Sequence, residues 1–165
     1  MSFKIGFMQG RLVDSEKKNS IQYFPEKNWP SEFKIGKKIN LKIIEWTINS
    51  ENINKNPLYN GKLDNVRKMI KKYKIKVPSI TCDYFMQKPF FKKKNEKNKD
   101  VILNILKKII INGNKINVKH YIFPLVDNSS ISSLAEEKCL IKEIKKIFKL
   151  LKKDSEILFE TDYEP

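Results

Sequence analysis

Ser79-Ile80-Thr81-Cys82-Asp83 is a short apolar stretch that runs straight into a carboxylate. Four more stretches repeat the arrangement: Ile5-Gly6-Phe7-Met8-Gln9, Ile43-Ile44-Glu45, Phe123-Pro124-Leu125-Val126-Asp127 and Ile157-Leu158-Phe159-Glu160. Each reads as a strand ending on a carboxylate or, at Gln9, a carboxamide. The segments between them carry helical periodicity. Strands alternating with helices call for parallel pairing, and in a parallel sheet or barrel every strand C-terminus emerges on one face. The five polar tips then converge, which is how such folds build active sites.

The helices follow from spacing. Leu63, Val66, Met69, Ile70 and Tyr73 form one apolar stripe backed by lysines. Asp100 is placed to cap a helix containing Val101, Ile102, Ile105, Leu106 and Ile109, with Gly113 as its stop. Ser133 and Glu136 have capping-box spacing, and Leu140, Ile141, Ile144, Ile147, Phe148 and Leu151 follow on one face. A shorter helix is expected over 29–40, with Gly36 inside it. Strands then start near residues 4, 42, 77, 119 and 157, roughly 35 to 42 residues apart, a spacing that suits βα units with some long loops. Neither GxGxxG nor GxxxxGK[ST] follows the first strand, so no nucleotide fingerprint favours a doubly wound sheet. Five units also fall short of a complete barrel, which takes about 250 residues. Either the sheet is open or the barrel is unfinished.

Composition narrows the function. The chain has 165 residues, enough for one domain, and a net charge of +15. Such a charge raises nucleic acid as a partner. The basic residues are almost all lysine, however, with Arg11 and Arg67 the only arginines, and Asn and Ile are plentiful. An AT-rich coding sequence gives that composition to a chain of any function, and base readers favour arginine. Nucleic acid is therefore disfavoured, and the charge reads as solvated surface, the Lys92-Lys93-Lys94 run included. Cys82 and Cys139 form no CxxC pair, and His120, the one histidine, sits near the start of its strand, away from the expected site. No leader pattern and no apolar run of spanning length is found. The expectation is a soluble, cytoplasmic protein with no membrane partner.

Five segments stand at the strand ends: Phe7-Met8-Gln9-Gly10-Arg11-Leu12, Ile44-Glu45-Trp46-Thr47, the run from Val77 to Phe90 through Asp83-Tyr84-Phe85-Met86-Gln87, Pro124-Leu125-Val126-Asp127-Asn128 and Phe159-Glu160-Thr161-Asp162. Together they resemble the sugar phosphate isomerase/epimerase family of xylose isomerase-like TIM barrels. The resemblance implies an α/β fold, an incomplete (βα)8 TIM barrel of about five βα units, with residues 1–165 forming one N-terminal portion. It implies metal-assisted proton transfer on a small sugar, sugar phosphate or polyol. In that family a divalent cation, Mn²⁺, Mg²⁺ or Co²⁺, polarises the carbonyl from the mouth of the barrel. Glu160 matches the glutamate of the fifth strand and is expected as metal ligand and catalytic group. The remaining ligands are expected beyond Pro165, so the chain reads as truncated before most of its metal site.

Substrate contacts are expected from Gln9, Arg11, Glu45, Trp46, Asp83, Gln87 and Asp127. Each also has a plainer role. Glu45 would pair with a lysine, Asp83 and Asp127 would cap loops or helices, and Gln9 and Arg11 would belong to a solvated loop. Two other functions remain open. An apurinic endonuclease-like repair protein would use the charge, but Cys82-Asp83 and Asp127-Asn128 stand where such enzymes place histidines. A non-catalytic half barrel would expose the edges of strands one and five and self-associate through them.

Overall fold

The computed structural model describes residues 5–14 and 23–162. In chain order the elements are β1 (Gly6–Met8), α1 (Trp29–Lys38), β2 (Ile43–Thr47), α2 (Pro57–Asn60), α3 (Asp64–Tyr73), β3 (Lys76–Thr81), α4 (Asp83–Gln87), α5 (Lys99–Asn114), β4 (His120–Pro124), α6 (Leu134–Phe148) and β5 (Glu156–Glu160). The five strands form one sheet in the order β1-β2-β3-β4-β5, and every neighbouring pair is parallel. Sequence order equals spatial order. A doubly wound sheet would reverse direction at a switch point; here every crossover steps the same way. The chain is therefore the arc of a (βα) barrel, wound once.

Strand alternation sorts the side chains by face. Ile44, Trp46, Ile80, Tyr121, Phe123 and Ile157 are buried in one core with the helices. Their alternates, among them Met8, Glu45, Ser79, His120, Ile122 and Leu158, share the opposite, inner face, in register across the sheet. The helical side is dense. Trp29 and Trp46 meet edge to face at 5.4 Å, and the Trp46 indole N–H donates to Asn56 Oδ1 at 3.1 Å.

Helix boundaries fall close to expectation, with informative differences. A six-residue 3-10 turn, Lys93–Asn98, runs directly into α5. Asp100 consequently lies in the first turn and is not the cap, where its charge still suits the helix dipole. Gly113 does not stop α5, which continues to Asn114. It is there for clearance: a Cβ at 113 would lie 2.6 Å from the Tyr121 hydroxyl. That hydroxyl is fixed by donating to Ile110 O and to Asn114 Oδ1, each at 3.1 Å. Gly36 has a similar reason, since a Cβ there would come within 2.9 Å of the Phe7 ring.

At α6 the Ser133 hydroxyl accepts from Glu136 N at 3.3 Å, one half of the capping box. The Glu136 carboxylate instead accepts from Ser132 N at 2.9 Å and pairs with Lys92 at 2.8 Å. Lys92 thus ties its loop to α6, while Lys93 and Lys94 are exposed as expected. The stripe expected on one face of α6 splits: Leu140, Ile144 and Ile147 are buried, whereas Ile141 and Phe148 stand exposed with Leu134.

The contact at Gly113 is open to test. Alanine is the better helix former by about 1 kcal/mol, but overpacking against a fixed hydroxyl costs roughly 1–3 kcal/mol. Gly113→Ala is expected to lower the thermal midpoint by roughly 2–6 °C. A midpoint that stays or rises would show that Tyr121 moves aside freely.

Candidate active site at the carboxyl ends of the strands

Three of the strand-tip carboxyls come together. Glu45 lies on the inner face of β2, and the Thr81 hydroxyl of β3 donates to its Oε1 at 2.6 Å. Asp83 opens α4 two residues after β3 and is 2% exposed. Glu160 ends β5 opposite Pro124, its carbonyl accepting from Leu125 N at 2.7 Å. The Asp83 carboxyl is pushed up from 3.8 to about 7, first by burial, then by the charges of Glu160 and Glu45. The neighbouring Cys82 thiol is also pushed up, chiefly by burial and further by Asp83 and Glu45, so it stays neutral. Three carboxyls at one rim, with Asp83 poised near neutrality, make an acid–base constellation. Below them, Gly6, Met8, Ile43, Glu45 and Ser79 line an open hollow of about 300 Å³ on the inner face.

The loop after β1 is held from α1. Glu32, fully buried in the first turn of that helix, accepts from Gly10 N at 2.7 Å and Leu12 N at 3.3 Å, and from the Arg11 N–H as well. Desolvation outweighs these bonds and pushes its carboxyl up to about 7. Arg11 itself is exposed on this loop. Gln9 is fully buried. Its Oε1 accepts from Thr47 N at 3.1 Å, a tie between the ends of β1 and β2, while its Nε2 finds no partner among the described residues. The middle of the long loop expected before Trp29, residues 15–22, lies outside the described residues.

The other expected contacts are dispersed. Trp46 is fully buried on the helix-covered face of β2, opposite the inner wall, so it packs and does not reach the mouth. Alternation along a strand forces this: beside an inward Glu45, residue 46 points outward. Gln87 is exposed at the end of α4, its Oε1 accepting from Ser50 N at 2.8 Å. Asp127 is exposed in a 3-10 turn with φ of 51°, after β4. His120 does begin its strand, yet the stagger of the sheet puts it level with Ser79 and Glu45 on the inner face. There it lies 2.9 Å from Glu156. Among the described residues, no three His, Cys, Asp or Glu side chains are placed to hold a metal ion. Glu160 thus stands at the end of β5 without a set of companion ligands among the described residues.

Glu32, Thr81 and Asn56 were not legible as site residues. Asn56 caps α2, its Oδ1 accepting from Leu58 N, and donates to Thr47 O, both at 3.1 Å. Pro57 after it is the one sequence signal for that cap. Nothing in the sequence marks Glu32 as buried.

No protein-family model and no curated protein matches this chain. Among solved structures it resembles a xylose isomerase-like TIM barrel protein from Mycobacterium smegmatis, crystallised in complex with magnesium. The TM-score is 0.56 at 10% identity, over 85% of this chain and 48% of that one. That likeness shows the fold. The chain spans about half the length of this neighbour.

The raised Asp83 carboxyl has a consequence for stability. A carboxyl whose folded value lies above its unfolded value costs nothing below about pH 4, and its penalty grows until about pH 7. Asp83→Asn is expected to stabilise the protein by roughly 2–4 kcal/mol at pH 8, with the gain vanishing by about pH 4. Urea denaturation at the two pH values checks this. A gain independent of pH would mean that Asp83 is not titrating against its neighbours.

Proposed function

We propose that this chain carries part of a sugar isomerase or epimerase site, in which Asp83 and Glu45 move a proton beside the carbonyl of a small sugar or polyol. The meeting of Glu45, Asp83 and Glu160 at one mouth, with Asp83 poised near neutrality, is the observation that carries the reading. A base near the working pH takes the proton from the carbon next to the carbonyl, leaving an enediolate, and the conjugate acid returns it to the neighbouring carbon or the opposite face. Asp83, poised near neutrality, is placed to take and return that proton, with Glu45, steadied by Thr81, beside it at the mouth. Arg11, the exposed guanidinium on the first loop, suits a phosphate or carboxylate on the substrate. The neighbour's magnesium and the family resemblance both point to a cation, for which Glu160 is the candidate ligand. The described donors do not complete a metal site, so the proton steps are assigned to the carboxyls alone.

Incubation with free and phosphorylated aldoses and ketoses in deuterated water, followed by proton NMR, tests this. The native chain is expected to exchange the proton beside the carbonyl of at least one sugar, with a pH limb near 7. Asp83→Asn and Glu45→Gln are each expected to slow the exchange about 10²-fold or more. Full exchange in both variants, or none with any sugar, would remove the reading.

A further inference from the structure

Each crossover helix returns the chain from the rim to the opposite end of the sheet, so the helix C-termini gather there, at the foot of the arc. Lysine gathers with them. Lys71, Lys72 and Lys74 close α3, and Lys115 caps α5; the helix dipole favours a cation in each of these places. No helix dipole asks for Lys76 at the start of β3 or Lys119 just before β4, yet lysine stands there too. All of them are exposed. Acids sort the other way, with Asp64, Asp100 and Glu136 in the first turns of α3, α5 and α6. Among the described residues, the acids at the foot are Asp154 and Glu156, and each already has a partner: Lys119 at 2.6 Å and His120 at 2.9 Å.

Within this cationic face lies an apolar hollow of about 260 Å³. Ile70 of α3, Val77 and Pro78 of β3 and Ile116 before β4 wall it, with the exposed Lys76 and Lys119 beside them. β2 flanks β3 on one side, and β5 flanks β4 on the other. The hollow is therefore enclosed by described strands and lies away from both edges of the sheet.

Charge and hollow together select among anionic partners. A nucleic-acid duplex carries phosphates outside and keeps its apolar base faces stacked within. A bilayer holds its apolar layer beneath the headgroups and is entered by side chains that protrude, whereas this face is indented. A polypeptide segment offers both complements, carboxylates for the lysines and an apolar anchor for the hollow. We propose that the foot of the arc docks an acidic segment of a partner protein, with carboxylates on Lys74 and Lys76 and one bulky apolar side chain between Ile70, Val77 and Ile116. The face lies at the opposite end of the sheet from Glu45, Asp83 and Glu160, so it stands or falls apart from the proposed proton transfer.

Fluorescence anisotropy with a labelled peptide, Glu-Asp-Glu-Phe-Glu-Asp-Glu, tests this at about 0.15 M salt, where distant charges are screened. The peptide is expected to bind with a dissociation constant on the order of 10–100 µM. The same peptide with serine in place of phenylalanine is expected to bind about tenfold more weakly, a comparison that leaves the protein unaltered. Lys76→Glu is expected to weaken the phenylalanine peptide about tenfold, and Lys62→Glu, the same charge change just before the other end of α3, less than about twofold. Failure of the phenylalanine peptide to bind would overturn the proposal. So would equal affinity for the two peptides, or equal effects of the two substitutions. Tighter binding of a DNA duplex or of phosphatidylserine vesicles than of the peptide would overturn it as well.

Discussion

Parallel pairing in strict sequence order is the constraint on which the rest depends. With each strand added beside the one before it, all crossovers fall on one side and their helices pack against one face of the sheet. That face can then be wholly apolar, as Ile44, Trp46, Ile80, Tyr121 and Phe123 are. Alternation hands the opposite residues to the inner wall, where Glu45, Ser79 and His120 stand in register. Because all strands point the same way, their ends share one rim, and the carboxyls of Glu45, Asp83 and Glu160 collect there. A single reversal would have split both the core and the rim.

At that rim electrostatics takes over from packing. Asp83 sits almost fully buried near two other carboxyls, and no cation is among the groups that shift it. Folding tolerates this arrangement because the helical core is large and closely packed, with Trp29, Trp46 and Phe33 all buried together. An unfavourable cluster of carboxyls at one rim, offset by close packing elsewhere, is a familiar division of labour. Thr81 moderates it by a short hydrogen bond to Glu45.

The fold was legible because its signals are local. Apolar runs, helical stripes and strand tips all lie within a few residues of the features they predict, and the strands fall within two residues of the expected starts. Part of the rim was legible for the same reason: Glu45, Asp83 and Glu160 lie at or just after the ends of parallel strands, whose carboxyl ends share one face, whereas Asp127 turns away into solvent. What could not be read depends on neighbours far away in sequence. The face taken by Trp46 follows from which side of β2 the helices cover. The clearance at Gly113 is set by Tyr121 across the core, and the burial of Glu32 by a loop 20 residues earlier. The split stripe of α6 has the same origin, because periodicity finds an apolar face without saying how much of it another element covers.

The three backbone bonds to Glu32 give the first loop an unusual mechanical character. With Gly10, Arg11 and Leu12 all anchored to one carboxyl on α1, the main chain at Arg11 has a fixed position while its side chain stays in solvent. The guanidinium therefore swings from a fixed pivot, and the volume it samples is bounded by the length of one side chain. Under the proposed reading, a group so tethered would meet an anion at the rim without the loop having to fold around it, because the ordering that a free loop would owe at binding has already been met when the chain folds.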